Sequence, residues 1–374
     1  MLRSSFRLFT VMGIEVGVHV SWLIIFGLVT WSLAVGYFPT LLPGLTDTAA
    51  LVLGAIAAVL LFGSVLLHEL AHSFVARWRG LDARSITLFL FGGVSNLGGE
   101  AKQPSTEFLV AIVGPLSSLA IAAVAFAAAT VLGPESAAGV VAGYLAFVNL
   151  LLAGFNLLPG FPLDGGRVLR AIVWNATNSL RRGTEVAAMV GRLVAYGLLL
   201  FGVLRILNGE LFAGLWIGAI GWFLSNAASA SVQQVVLDQR LSGLRVRDVL
   251  RPDPTSVPPG MTVAELIDQV ILPGSRRATP VIDGRIVGIV TLGDVGKVPA
   301  EARASTTVAE IMGGGETLVT VAPGDTLRRA MEALAEGDYE QLPVVDESGR
   351  HLGLLTRADI LRVLQIREAL DVRA

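Results

Sequence analysis

Six apolar runs dominate the first two thirds of the chain, at residues 17–37, 50–76, 107–132, 138–158, 186–207 and 211–234. A helix needs about 20 mostly apolar residues to cross a bilayer, so the pattern predicts six transmembrane helices. Beyond residue 237 the runs shorten and are punctuated by Asp-Gly and Glu-Ser-Gly turns, which predicts strands and amphipathic helices of a soluble α+β unit. The expected organisation is a membrane domain over 1–237 and a cytoplasmic domain over 238–374.

Composition agrees with that division. The 374 residues are 53% hydrophobic, with a mean hydropathy of +0.68, which points to a polytopic membrane protein. Residues 1–237 hold 12 Lys/Arg and 10 Asp/Glu, whereas the shorter remainder holds 16 and 20, so charge concentrates where the spans end. The net charge of −2 gives no reason to expect nucleic acid. Cysteine is absent, so disulfides are excluded and any metal site must use His, Asp or Glu.

The loops sort by sign. Arg3 and Arg7 precede the first run, Arg77, Arg79, Arg84 and Lys102 follow the second, and Arg167, Arg170, Arg181 and Arg182 follow the fourth. The alternate loops 38–49 and 133–137 carry no Lys or Arg. By the positive-inside rule both termini and the soluble unit are expected in the cytoplasm.

One polar cluster breaks the second run: 66-LLHELAHSFVA-76. His68 lies nine residues before Arg77, roughly 13 Å into the bilayer from its cytoplasmic side at about 1.5 Å per helical residue. His68 and His72 are four apart and share a helix face, while Glu69 sits one step round. This H-E-x-x-H spacing suits two imidazoles on one zinc, with the glutamate as general base towards a water that zinc acidifies. The bland reading is coincidence. Ionisable residues inside a span are functional by default, which disfavours it.

Two imidazoles leave zinc short of a protein ligand. The strongest carboxylate candidate is Asp164, in 156-NLLPGFPLDGGRVLRA-171, where prolines and glycines break an apolar run ahead of a short basic helix. Irregular backbone at membrane depth is tolerated only where it lines a cavity or is covered by protein. Taken alone, Asp164 could also be an ordinary helix cap.

HELAH at 68–72, Asn-x-x-Pro-x-x-x-x-Asp-Gly at 156–165 and GPLSSLA at 114–120 together resemble the site-2 protease family of intramembrane zinc metalloproteases. The resemblance implies one zinc per chain held by His68, His72 and Asp164, with Glu69 as catalytic base. It implies that Asn156 positions substrate or stabilises an oxyanion. It also implies that the strand-rich segment 86–98 forms a small membrane-embedded sheet, whose edge could take an unwound substrate as an added strand. The implied activity is an endopeptidase that cuts transmembrane segments of membrane proteins within the lipid bilayer. His19 reads as an interfacial residue or an auxiliary ligand, and Arg192 as a side chain that snorkels to the cytoplasmic face. The small residues after Gly114 read as close helix packing.

The soluble unit repeats with a period near 60, in copies expected at 246–300 and 306–366. VRDVL is answered by VAEIM, and TPVIDGRIVGIVTLGDV by LPVVDESGRHLGLLTRADI. The copies resemble a tandem pair of cystathionine-β-synthase (CBS) domains, chiefly in 288-GIVTLGD-294 and 353-GLLTRAD-359. That resemblance implies a regulatory pair, homodimerisation through it, and an adenine nucleotide contacted by Thr291, Asp294, Thr356 and Asp359. The first copy departs from the pattern at 292-LGDVGKVPA-300, where a longer closing helix is expected. His351 reads as a solvated strand residue. A second reading of the whole chain is a transporter or channel gated by its CBS pair. It would need polar residues spread along several spans, and here they cluster.

Overall fold

The computed structural model describes residues 5–89, 92–97, 101–251, 253, 255–274, 277–314, 318–337 and 339–369. Contacts divide the chain into two compact units, Met1–Val235 and Val236–Ala374.

The first unit opens with a hairpin absent from the sequence reading, β1 (Ser5–Val11) and β2 (Ile14–His19), paired antiparallel. Its two-residue turn places Met12 at φ 48° and Gly13 at φ 79°, the left-handed pair that a tight hairpin requires. His19 then caps α1 (Val20–Ser32), its Nδ1 accepting from the Ser21 N–H at 3.2 Å. The helix continues through a π-turn at Leu33–Tyr37 into α2 (Phe38–Leu41). The remaining elements are α3 (Asp47–Trp78), β3 (Ala83–Phe89), β4 (Gly92–Leu97), α4 (Pro104–Leu132), α5 (Ala137–Asn156), α6 (Asp164–Thr177), α7 (Leu180–Leu207) and α8 (Leu211–Leu241).

Local chemistry sets these boundaries. Thr46, Ser136 and Ser179 each accept a backbone N–H from the first turn of α3, α5 and α7. Pro104 starts α4, and Gly133 ends it at φ 85°. Among the described residues six helical stretches, Val20–Leu41, α3, α4, α5, α7 and α8, are long and apolar enough to cross a membrane, one for each predicted run. Their outward faces carry exposed large apolar side chains such as Leu60, Val124, Phe126 and Leu200.

The sheet order is β1-β2-β3-β4, with β2 and β3 parallel and the other pairs antiparallel. Segment 86–98 therefore falls on the antiparallel pair β3 and β4, although Leu90, Phe91 and Gly98 lie outside the described residues. The inner face of the sheet buries Ile14 and Ile86 against Leu70 of α3.

In the second unit each copy has helix, strand, turn, strand and helix. The first has α9 (Val263–Leu266), continuing through a π-turn into α10 (Leu272–Gly274), then β5 (Ala278–Asp283), β6 (Arg285–Thr291) and α11 (Leu292–Gly296). After α12 (Val308–Ile311) and β7 (Gly313–Gly314), the second has α13 (Leu327–Glu336), β8 (Gln341–Val345), β9 (His351–Thr356) and α14 (Arg357–Ala369). The closing helix of the first copy is indeed the shorter, five residues against thirteen.

The copies exchange their leading segments. Val246 and Val249 of VRDVL pack with Leu327, Leu342 and Leu355 in the core of the second copy. Val308 of VAEIM packs with Val263, Leu266 and Val281 in the core of the first. Backbone bonds repeat the exchange: Val246 N–H donates to Asp325 O at 3.0 Å, and Val308 N–H to Met261 O at 2.8 Å. His351 is only 9% exposed, which corrects the solvated reading. It is a strand residue facing inward, in the alternation that a half-buried β9 imposes.

Candidate metal and catalytic site

His68 and His72 sit one turn apart on the buried face of α3, 3% and 4% exposed. Their Nε2 atoms are 3.2 Å from each other, and each is 3.1 Å from Asp164 Oδ2. Asp164 is the first residue of α6, and Leu163 rather than Asp164 occupies the cap position. Its carboxylate is turned to the imidazoles, so the helix-cap alternative falls away.

The outer ring nitrogens are engaged elsewhere. His72 Nδ1 is 2.6 Å from the carbonyl oxygen of Val110, which can only accept, so the proton sits on Nδ1. His68 Nδ1 is 2.9 Å from Ser118 Oγ. A neutral His72 protonated at Nδ1 presents a bare lone pair at Nε2. With His68 in the same tautomer, three acceptors converge at 3.1–3.2 Å with no proton between them. A cation relieves that repulsion. Zinc with bonds of about 2.0–2.1 Å has tetrahedral edges of about 3.4 Å, close to the spacing found. The residues fit a zinc ion.

Glycine makes room. A Cβ on Gly114 would stand 2.1 Å from His72 Nε2 and 2.7 Å from His68 Nε2, so α4 lies directly against the cluster. A Cβ on Gly93 of β4 would stand 2.4 Å from Glu69 Cγ. Ser95, two residues on, donates to Glu69 Oε2 at 2.8 Å and orients the carboxylate. Sequence reasoning singled out GPLSSLA and the 86–98 segment, but it did not assign site roles to Gly114, Ser118, Gly93 or Ser95. It also missed Val110 and Glu107.

The cluster opens into a cavity of about 590 Å³. Its wall includes Glu69, Asn156, Pro162, Asp164 and Arg167, together with Trp216 and Phe223 of α8. Asn156 is the last residue of α5, and its Nδ2 donates to Leu152 O at 3.0 Å. The loop that carries Asp164 lies flat on α7 because Gly160 and Gly191 let the two backbones approach: a Cβ on Gly160 would meet Gly191 Cα at 2.4 Å. The structure thus brings His68, Glu69, His72, Asn156 and Asp164 together. His19 serves as the cap of α1 and does not line the cavity, nor does Arg192.

In the second unit a cavity of about 660 Å³ is lined by Arg277, Thr291, Asp294, Gly313, Tyr339 and Gln341, among others. It adjoins the copy whose motif departs from the pattern; Thr356 and Asp359 do not line it. Both pairs form the same capping box. Asp294 Oδ2 accepts from Thr291 Oγ1 at 2.6 Å, and Asp359 Oδ2 from Thr356 Oγ1 at 2.5 Å. Burial opposes the charge on Asp294, but bonds from Thr291 and Lys297 outweigh it and hold the carboxyl below the ordinary aspartate value.

Two family profiles match the chain: Peptidase family M50 over residues 56–142 and 134–198, and CBS domain over 246–301 and 308–366. The chain is 38% identical over 374 residues to zinc metalloprotease Rip3 of Mycobacterium tuberculosis, covering 98% of this chain and 94% of the relative. It is 34% identical to zinc metalloprotease sll0528 of Synechocystis, covering 98% and 97%. Among solved structures, a site-2 protease from Methanocaldococcus jannaschii is 31% identical, covering 61% of this chain and 95% of that one, with a TM-score of 0.44.

Proposed function

The chain belongs to peptidase family M50, as an intramembrane zinc metalloprotease with a CBS pair, and from that premise we propose how its residues divide the work. His68, His72 and Asp164 hold one zinc. Glu69 is the catalytic base, and Asn156 positions the scissile peptide. The observation that carries this reading is the convergence of three lone pairs beside a glutamate that Ser95 orients. Zinc, when bound, supplies Lewis-acid polarisation and acidifies water. Glu69 accepts the proton and returns it to the leaving amine, with Ser95 holding one of its carboxylate oxygens. The apolar wall around Trp216 and Phe223 limits water.

The substrate is a transmembrane segment of another membrane protein, cut near its cytoplasmic end. A helix hides its peptide bonds in its own hydrogen bonds, so it must unwind locally. Strand β4 ends the sheet and, among the described residues, pairs only with β3. An extended segment added to its free edge would run past Gly93 and Ser95, and so past Glu69.

The proposed division is a membrane domain over 1–237 and a regulatory domain over 238–374, with both termini cytoplasmic as the loop charges favour. We assign the regulatory ligand to the cavity beside Thr291 and Asp294, as an adenine nucleotide, and place a homodimer contact in the CBS pair. No spread of polar residues along several spans supports the transporter reading. The test is Glu69→Gln. Purified variant should keep one zinc and its fold and lose cleavage of a transmembrane substrate by about 100- to 10,000-fold. Undiminished cleavage would refute the assignment of the base.

A further inference from the structure

A second buried charge cluster lies one helical turn from the metal site. Glu107, in the first turn of α4, is 1% exposed. Its carboxylate accepts from Arg167 Nε at 2.9 Å and Nη2 at 3.5 Å, and from Arg170 Nη2 in a shorter contact. Both arginines belong to α6, the helix that begins with Asp164. Arg170 also stacks over Phe161, 5.2 Å from the ring centroid.

The spacing ties this cluster to the site. Glu107, Val110, Gly114 and Ser118 recur at three- and four-residue intervals and share one face of α4. Val110 holds His72, Gly114 abuts both Nε2 atoms, and Ser118 holds His68. Arg167 follows Asp164 by three residues, so their side chains are neighbours on α6. Arg167 lines the active cavity and lies within electrostatic range of both Asp164 and Glu69. A guanidinium is a five-donor fork built to clamp carboxylates. Left without Glu107, it has the proposed metal ligand Asp164 three residues away on the same helix.

We propose that Glu107 is a positioning residue for the metal site: by engaging Arg167 it keeps that guanidinium off the Asp164 carboxylate. The inference rests on the proposed zinc ligation by Asp164. Glu107 touches neither metal nor substrate. It acts through Arg167, by deciding which carboxylate that side chain serves.

The test measures zinc transfer to a competing chelator from the purified full chain in detergent, with cobalt substitution to read the ligand geometry. His72→Ala is the control for the ligation itself: if it keeps its zinc, that reading fails, independently of Glu107. Glu107→Gln should release zinc about 10- to 100-fold faster than the parent, the range for loss of a group supporting a metal ligand, and should alter the cobalt visible bands. Adding Arg167→Met to Glu107→Gln should bring release back to within about threefold of the parent, as expected if the freed guanidinium is the competitor. Phe38→Ala, a cavity in the distant core of Leu33, Ala57 and Val141, should lower stability without changing release. Parental release in Glu107→Gln overturns the proposal. So does equal acceleration by Phe38→Ala, or failure of the second substitution to restore retention. Should Glu107→Gln not fold, Glu107→Asp keeps the charge and shortens the reach. It then carries the test, with several-fold faster release, again reversed by Arg167→Met, as the supporting result and parental release as the overturning one.

Discussion

The metal site and the CBS cavity are built on opposite plans. In the membrane unit each reactive side chain is held by a partner distant in sequence: His68 by Ser118, His72 by Val110, Glu69 by Ser95, and both histidines face Asp164. In the soluble unit the signature residues bond each other three positions apart, as a cap on the helix that follows them. A motif held from afar is organised around something that is not itself. A motif held locally serves its own helix first, and it becomes a ligand site only where a cavity lies beside it.

That contrast can be broken experimentally. The largest effect is expected at Gly114. Gly114→Ala puts a methyl group 2.1 Å from His72 Nε2, so purified protein should lose its zinc and its activity while the spans stay folded. Metal analysis checks this. Gly63→Ala on α3, with nothing within 4 Å of the added carbon, should bind zinc as the parent does. A smaller effect is expected at the caps. Thr291→Ala and Thr356→Ala should each destabilise the soluble unit by about 0.5–2 kcal/mol in chemical denaturation, because each removes a helix cap. Added AMP or ATP should raise the melting temperature of the parent and of Thr356→Ala, and not of Thr291→Ala. Equal loss of the nucleotide response in both would erase the distinction between the copies.

The smallest effect is a pH dependence in the soluble unit. Burial lowers the pKa of His351, and the nearby charge of Asp253 only partly offsets this. The unfolded chain therefore binds a proton there more readily than the folded one. Stability is fully present above the unfolded histidine value, about 6.5, and is lost as pH falls through that value towards the lower folded one. His351→Phe should flatten that acid limb in pH-dependent melting.

What could be read from the chain follows the same division. The spans, the H-E-x-x-H face and the paired copies are periodic or self-similar, so one strand of sequence contains the whole signal. The β1–β2 hairpin was readable in principle, from alternation about Met12-Gly13, but its apolar positions merge into the first span. Gly114, Gly93 and Val110 could not be derived from spacing: a glycine matters there for what approaches it, and Val110 acts through a carbonyl that every residue owns. Glu107 looks like an ordinary first-turn acid, favourable at a helix N-terminus, until the arginines of α6 fold onto it.

The exchange of leading segments in the CBS pair has a bearing on how that unit can be taken apart. The boundary that the repeats mark in the sequence is not a seam in the solid. A chain cut before Thr307 would lose the second core and, with Val308, part of the first. The two copies should therefore melt in one transition, and neither should survive alone as a fragment.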